Sequence, residues 1–305
     1  MASGTLAQDE PELERPVVSP ALRKLTRDGG YLMVKEVSGK TVAIDIATGL
    51  AAPMVVAPII AVVDTSIIQA VMTKTSVTEN LKTNATFLCK HPIQFARDKF
   101  WRRMTGLCWM VYAGTYASSN IATSYIEANE LPANQSKVLK VAAGGAANIG
   151  LTLVKDVIMV GLITERFGEG AIKERKRVPM LSRGCFLVRD GLTMMAAFVI
   201  GDEVGRRVYH ALGDWVSART ARQIGNLVTP VALQPVSTVF HLGGLNYADN
   251  QSLSAGAMTQ AIRNSYFAST GARMGRILPA VGVGNNINIA LRDATYRYAE
   301  RTRWL

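Results

Sequence analysis

The chain has 305 residues, of which 49% are hydrophobic and only 19% are charged. This length fits two soluble domains or one membrane domain with several spans, and ordinary soluble domains carry about 25% charged residues. The net charge of +11 favours an anionic membrane surface or an anionic ligand. The basic residues are dispersed and follow no zinc-finger, RRM or basic-region pattern, so the sequence predicts no nucleic-acid partner.

The distribution of chemistry-bearing side chains argues against an enzyme. The three cysteines are far apart and odd in number, which predicts reduced thiols without a disulfide framework. The three histidines share no metal-ligand spacing, so neither a metal nor another cofactor is expected. No nucleophile–base pair or phosphate-binding loop is visible, and the sequence therefore predicts a protein without catalytic activity.

Residues 1–40 form a polar N-terminal arm that contains Pro16 and Pro20. No apolar core follows the first methionine, so no secretory signal is expected. Acidic residues, Glu12 and Glu14 among them, argue against an Arg-rich mitochondrial presequence. Import into mitochondria would therefore require an internal signal.

Six segments with few or no charges follow the arm at nearly even spacing. They cover residues 46–72, 104–126, 141–164, 185–200, 223–240 and 277–291. With their flanks, each approaches the ~20 residues that a helix needs to cross a bilayer. The connection between the first and second segments is basic, as is the one after the third. The positive-inside rule therefore places these connections on the matrix or cytoplasmic side and both termini on the opposite face.

A threefold repeat organises these segments. Each even segment carries a glycine followed five residues later by an aligned position: Gly106 and Val111, Gly184 and Arg189, Gly271 and Arg276. The odd segments share a second register, "VVDTSII" at 62–68, "VKDVIMV" at 154–160 and "PVSTVFH" at 235–241. Three copies of a two-helix unit account for all six segments. The predicted repeats span 41–135, 136–215 and 216–305, the last including the C-terminal tail.

This threefold register resembles the mitochondrial carrier family. "SRGCFLVRDGLTMMAAF" at 182–198 and "ARMGRILPAVGVGNN" at 272–286 look like copies of its even helices. The resemblance implies an all-α membrane protein with six tilted transmembrane helices in three pseudo-symmetric repeats, with short matrix helices between paired helices. It also implies a multi-pass location in the mitochondrial inner membrane, with both termini on the intermembrane-space side.

The resemblance assigns two sets of site residues by position. The substrate contacts of a transporter would fall on Val111, Arg189, Asp190 and Arg276. The family's matrix-side signature, P-x-[DE]-x-x-[KR], is damaged in every repeat, and its remnants are Asp64, Ile67, Asp156, Met159, Ser237 and Phe240. Two acids survive without their basic partners, so we expect them to be protonated, hydrated or paired elsewhere.

In the carrier family the signature residues form salt bridges that close the matrix side of the cavity, which we call the gate. Their loss leads to two further expectations. Lys155 is next to Asp156 in sequence, but its side chain is predicted to point about 100° away around the helix. Lys155 is therefore expected to be a poor replacement for the lost basic residues. The apolar residues Ile67, Met159 and Phe240 are instead predicted to pack together as a plug without a ring of salt bridges.

Basic residues on the matrix side predict anionic lipid as a partner. The aromatic-basic-glycine motifs that help carriers to seat cardiolipin are reduced to Ser182, Arg183 and Gly184. Arg183, with Arg102 and Arg103 of the first connection, is predicted to bind membrane lipids such as cardiolipin.

Two functions follow from this pattern. The lost bases and the long arm favour a structural accessory subunit of a respiratory-chain or ATP synthase complex, with other subunits of that complex as partners. The arginines favour the alternative, a divergent solute carrier that exchanges a small amino or carboxylic acid through a central cavity. We prefer the first, and pairing of Asp64 and Asp156 with basic residues of this chain would reverse that preference.

Overall fold

The structure is a computed structural model, and it describes residues 34–167, 178–212, 215–251, 254–302 and 304. Within these ranges the regular structure is entirely helical. Residues 1–33, which make up most of the predicted N-terminal arm, lie outside the described part of the chain.

The first half of the chain contains six α-helices. They are α1 (Gly39–Ala51), α2 (Ala57–Thr73), α3 (Val77–Lys90), α4 (Pro92–Arg97), α5 (Lys99–Ala128) and α6 (Ala133–Phe167). A 3₁₀ turn, Ala52–Met54, separates α1 from α2, and the two helices meet at an angle of 56°. Pro53 in this turn and Pro58 in the first turn of α2 explain the bend, because proline cannot donate a backbone hydrogen bond.

The second half repeats this alternation of long and interrupted helices. The described helices are α7 (Met180–Met195), α8 (Gly201–Leu212), α9 (Ala218–Ala232), α10 (Gln234–Asp249), α11 (Ala255–Ile277) and α12 (Asn285–Arg301). Wide π-helical turns at Ala196–Ile200 and Leu278–Gly284 join α7 to α8 and α11 to α12. The second of these turns contains Pro279, and the hydroxyl of Tyr116 on α5 donates to the Ala280 carbonyl there at 2.6 Å.

Short polar side chains fix where several helices begin. Ser38 and Thr41 form a reciprocal capping box at the start of α1. A carboxylate oxygen of Asp98 accepts from the backbone N–H groups of Phe100 and Trp101 at the start of α5. Partial burial raises the pKa of Asp98, but these N–H groups and the guanidinium of Arg166 outweigh it and leave the pKa below its usual value. The backbone N–H groups and the Arg166 guanidinium therefore hold the Asp98 carboxylate at the junction between α4 and α5.

A continuous apolar core joins the helices of all three predicted repeats. Its fully buried members include Ile60, Met104, Ile163, Phe186 and Leu245. These residues come from α2, α5, α6, α7 and α10, so the repeats share one core. The charged site described below lies among the same helices.

The predicted six-span carrier fold is not confirmed. All six predicted spans fall on helices, yet among the described residues only one helix, Asn134–Phe167, is by itself long and apolar enough to cross a membrane. The bent pair Gly39–Met54 and Ala57–Thr73 meets the same requirement as one broken span. The 30-residue α5 is long enough but not apolar enough, whereas the helices of the remaining candidates are interrupted, and α7 and α10 are each 16 residues long.

Short helices are present in the first of the connections where they were predicted. Helices α3 and α4 lie there, whereas the second connection, residues 168–177, is outside the described residues. Helices α10 and α11 are separated by residues 250–254 alone, which leaves no room for a third short helix. The α11 helix instead begins directly after Ser254, whose hydroxyl accepts from the backbone N–H of Ala257.

Candidate functional site

Charged side chains from four helices meet inside the helical core. We call them the central cluster: Asp64 of α2, Lys155 and Asp156 of α6, Arg189 and Asp190 of α7, and Arg273 and Arg276 of α11. The most exposed of these side chains, that of Arg276, is only 16% exposed. Removing charges from water costs several kcal/mol for each ion unless the charges are paired and hydrogen-bonded, so the pairing decides whether the cluster is tolerated.

Lys155 bridges the two acids inherited from the odd-segment register. Its Nζ lies 2.6 Å from Asp64 Oδ2 and 2.7 Å from Asp156 Oδ1. The expectation that Lys155 would be a poor partner is therefore wrong, because its flexible four-carbon side chain bends back to the neighbouring carboxylate. Asp64 also receives a hydrogen bond from the guanidinium of Arg276.

Arg189 connects the acid of α6 to the acid of α7. Its Nη2 lies 2.6 Å from Asp156 Oδ2 and donates to Asp190 Oδ2 at 2.6 Å, while its Nε donates to Asp190 Oδ1 at 2.8 Å. Its Nη1 lies 2.9 Å from Nδ1 of His241 on α10. Since the guanidinium can only donate, His241 accepts through Nδ1 and is neutral in this arrangement. Arg189 is thus fixed by three polar neighbours.

The third gate position is arranged differently from the first two. Ser237 of α10 stands where the other two repeats have Asp64 and Asp156, and its hydroxyl accepts from Arg273 Nη2 at 2.7 Å. Arg273 is 2% exposed, and its Nε has no hydrogen-bond partner. The third repeat therefore presents a buried guanidinium opposite a neutral hydroxyl.

The predicted plug of apolar residues is wrong as a description of the gate. Ile67 and Met159 are fully buried in the shared core, while Phe240 remains half-buried. The level predicted to lack salt bridges contains the Lys155 and Arg189 ion pairs with Asp64 and Asp156. Basic residues outside the expected motif positions have replaced the missing bases.

The predicted substrate residues lie in this same region. Arg189, Asp190 and Arg276 belong to the central cluster, and Val111 is buried on α5. Beside Val111, Tyr112 lies within electrostatic range of Arg276 and Asp64. The structure thus brings α5 next to the charges, with an apolar side chain at the aligned position.

A second cluster of buried polar groups lies on other helices, α1, α5 and α12. It consists of Asp45 of α1, Ser124 and Glu127 of α5, and Arg292 and Tyr296 of α12. Arg292 Nε donates to Asp45 Oδ1 at 2.8 Å and Nη2 donates to Ser124 Oγ at 2.8 Å, while Glu127 Oε2 lies 3.4 Å from Nη2. Tyr296 Oη donates to Asp45 Oδ1 at 3.1 Å. Every polar group of this cluster has a partner across a helix boundary.

The two clusters are well separated along the helices. Arg292 follows Arg276 by 16 positions, which at a rise of ~1.5 Å per residue separates them by roughly 24 Å. Between them, the side-chain amides of Asn120 and Asn288 donate to each other's oxygens at 3.0 and 2.9 Å. The Asn120 amide also donates to the Asp45 carbonyl at 3.1 Å, so this pair extends the second cluster.

The predicted lipid residues differ in their exposure. Arg102 and Arg103 are exposed at the start of α5, whereas Arg183 is half-buried and its Nε donates to the Val178 carbonyl at 3.1 Å. Their lipid binding stays a prediction. Among the described residues, no group of three or more histidine, cysteine, aspartate or glutamate side chains is placed to hold a metal.

Sequence reasoning missed several residues of both clusters. Lys155 was set aside by its direction on the helix, and Arg273 and Asp45 were not considered. Arg273 lies in the quoted stretch at 272–286, and Asp45 directly precedes the first predicted span. A charge within or beside an apolar helix was the signal available in each case.

Comparison with known proteins gives one match. A family model described as "Probable citrulline exporter" matches residues 48–296, a region that contains the whole central cluster. No curated protein and no solved structure matches the chain.

This match overturns the resemblance to the mitochondrial carrier family. The threefold register that suggested carriers rests on glycines, arginines and acids spaced along paired helices, and such spacing does not distinguish between families. The match also favours the solute-carrier alternative over the structural accessory subunit that the sequence had favoured. The chain belongs to the probable citrulline exporter family.

Proposed function

We propose that this protein is a membrane transporter that moves citrulline or a closely similar zwitterionic amino acid. The observation that carries the proposal is the central cluster, in which acidic and basic side chains from four helices meet within the core. An α-amino acid presents a carboxylate and an ammonium group a few ångströms apart. Arginine pairs well with carboxylates and aspartate with ammonium groups, so a cluster of both signs suits such a ligand.

The burial of these charges supports a transport role over a purely structural one. Ionisable groups within membrane segments are costly and generally mark substrate or ion pathways. The central cluster contains exchangeable pairs, since Asp64 and Asp156 each have two basic partners. A substrate carboxylate can replace one of these acids without leaving a guanidinium unpaired.

The second cluster supplies the other requirement of a transporter. A route across a membrane must be closed at one level while it is open at another, or solutes leak. The central and second clusters are two such levels, since α1 continues into α2 through the turn Ala52–Met54 and α11 into α12 through Leu278–Gly284, and we propose that they open in turn. Ion pairs that can exchange partners suit such alternate opening, because a charge that loses its partner when one level opens is met by substrate or by water.

A membrane location is part of this proposal. The proposed membrane is the mitochondrial inner membrane; the basic connection between α2 and α5 favours an orientation with both termini on the intermembrane-space side, and anionic lipid at Arg102 and Arg103 fits that orientation. Fractionation of mitochondria, followed by protease protection of tagged termini, tests this location. Recovery of the protein in another membrane, or cleavage of the termini only from the matrix side, would refute it.

The transport test uses the purified full-length protein in liposomes. Vesicles loaded with unlabelled citrulline should take up external labelled citrulline, and Arg276→Gln should reduce the rate by roughly 10- to 100-fold because Asp64 loses a charge-assisted partner. Arg263→Gln is the matched control, since Arg263 lies on the same helix and is exposed. A folded wild-type protein that exchanges neither citrulline nor other amino acids would overturn the proposal.

A further inference from the structure

The charges of the central cluster do not balance. Lys155, Arg189, Arg273 and Arg276 face the carboxylates of Asp64, Asp156 and Asp190, which leaves one positive charge in excess. His241 does not change this sum, because it accepts from Arg189 in its neutral form. A buried excess charge is unfavourable and calls for a counter-ion.

Arg273 is the member of the cluster that lacks an acidic partner. Lys155, Arg189 and Arg276 each form at least one ion pair, whereas Arg273 forms none with any described residue. Among the described residues, its one hydrogen bond is to the neutral Ser237 hydroxyl, and its Nε is buried without a partner. The excess charge is therefore located at this guanidinium.

Other buried hydroxyls lie on the neighbouring turns of the same two helices. A helical side chain leans toward the N-terminal turn of its own helix, so Arg273 leans toward the turn that contains Ser269 and Thr270. The hydroxyl oxygens of Ser269, Thr270 and, next to Ser237 in sequence, Thr238 are buried without hydrogen-bond partners. Buried polar groups are normally paired, so unpaired hydroxyls on the turns that carry Arg273 and Ser237 indicate a place for an acceptor.

The register of the odd segments shows which group is missing. Aligned positions hold Asp64 on α2 and Asp156 on α6, each paired with basic side chains, but Ser237 on α10. A third carboxylate at Ser237 would face Arg273 and neutralise the cluster. The protein lacks that carboxylate.

We infer that the guanidinium of Arg273 binds the carboxylate of the transported amino acid, which takes the place of the third acid that Ser237 does not supply. This inference rests on the proposed transport function and names the group of the substrate that the site recognises. The α-carboxylate accepts from Arg273, and the hydroxyls of Ser269 and Ser237 donate to its remaining lone pairs. Arg189 and Arg276, which are already paired with this chain's own acids, position the cluster around it.

The test compares two substitutions that remove the site in opposite ways. Arg273→Gln removes the cation, and Ser237→Asp supplies the missing anion from within the protein. Both should raise the KM for citrulline in liposomes by roughly 10- to 100-fold, the range for losing a charge-assisted hydrogen bond. Ser237→Asp should also raise the apparent Tm of the purified protein, whereas the neutral variant Ser237→Asn should not.

A ligand without the carboxylate separates recognition from folding. Citrullinamide should compete poorly with citrulline for the wild-type protein, and Arg273→Gln should bring the two ligands to within a few-fold of each other. Arg263→Gln, exposed on the same helix, should preserve the wild-type preference. Equal competition by the amide in the wild type, or an unchanged preference in Arg273→Gln, would overturn the inference while leaving transport intact.

Measurements of ligand-induced changes in Tm, which do not require transport, distinguish citrulline from an inorganic ion as the bound anion. Citrulline should raise the apparent Tm of the wild type in a chloride-containing buffer, and this shift should disappear in Ser237→Asp. If chloride alone produces the whole shift and citrulline adds nothing, the site binds an inorganic anion and the inference is wrong. If no amino acid is transported, the proposed function fails, and a citrulline shift that Ser237→Asp abolishes would still support binding at Arg273.

Discussion

At the scale of single residues, Lys155 has the most consequential contacts. It is the only described side chain that pairs with both Asp64 and Asp156, yet each acid also has a second basic partner, Arg276 or Arg189. Arg189 differs, since Asp190 forms no other ion pair within the described part of the chain. The two cations should therefore contribute unequally to stability, although both are buried.

We predict that Lys155→Met destabilises the protein less than Arg189→Met. Removing one partner of a buried pair typically costs about 3–5 kcal/mol because it leaves an uncompensated charge. Lys155→Met leaves both of its acids paired, whereas Arg189→Met leaves Asp190 without its partner. The measurement is thermal or denaturant unfolding in detergent, with Lys82→Met on the exposed face of α3 as control. An equal or larger loss for Lys155→Met would contradict the pairing described here.

Four of the residues that carry charge into the core were predictable from the sequence, but Arg273, Asp45 and the pairing of the charges were not. Asp64, Asp156, Arg189 and Arg276 stood out as charges in apolar segments. Their partners depend on side-chain rotamers and on the facing of helices, and a motif with fixed spacing cannot describe these. Lys155 shows this clearly, because its position on the helix pointed away from the contact that its flexible side chain makes.

At the scale of helices, close packing depends on glycine. A methyl group added at Gly49 of α1 would lie 2.5 Å from the backbone nitrogen and 2.7 Å from the Cα of Ala117 on α5. Backbone atoms cannot move aside alone, so the two helices would have to separate. The same contact positions Asp45 and Thr48, whose backbone and side chain accept hydrogen bonds from Asn120 on α5.

Gly49→Ala is therefore predicted to lower the apparent Tm and to weaken the second cluster. Alanine is ordinarily favoured over glycine inside a helix by about 1 kcal/mol, so a loss here would be due to the contact between the helices. Gly106→Ala, on α5 where nothing lies within 4 Å, should be neutral or stabilising. Similar melting temperatures for the two variants would argue against close packing of α1 on α5.

Helix positions were predictable from apolar runs, whereas their interruptions were harder to foresee. The bend at 52–56 follows from Pro53 and Pro58, and the turn at Leu278–Gly284 contains Pro279. The wide turn at Ala196–Ile200 has no proline, so no local signal announced it. Because these breaks shorten the continuous helices, hydropathy along the sequence overstated the number of uninterrupted spans.

At the scale of the whole molecule, the second cluster connects the first described helix to the last. Arg292 on α12 contacts Asp45 on α1 and both Ser124 and Glu127 on α5. Glu127 also accepts from the backbone N–H of Val34 at 3.2 Å, which fixes the residues that precede α1. Removing this arginine should therefore loosen contacts that are hundreds of residues apart in the chain.

We predict that Arg292→Gln destabilises the protein more than Asp45→Asn. The first change leaves Asp45 and Glu127 buried without their cation, whereas the second leaves Arg292 with Glu127 and preserves hydrogen bonds to Tyr296 and Ser124. Apparent Tm values, with limited proteolysis near residue 34, measure both the stability and the release of the N-terminal end. A smaller loss of stability for Arg292→Gln than for Asp45→Asn would show that Glu127 does not compensate the charge of Arg292.

The shared position of Lys155 has a mechanical consequence. When α2 and α11 move away from α6 and α7, the ion pair of the central cluster that breaks is that of Lys155 with Asp64; Asp64 keeps Arg276, Lys155 keeps Asp156, and Asp156 keeps Arg189. None of these five side chains loses its last charged partner, so separation along this line avoids the desolvation penalty that opposes most ruptures of buried ion pairs. The molecule thus contains a seam between two halves along which it can part and reclose at low electrostatic cost.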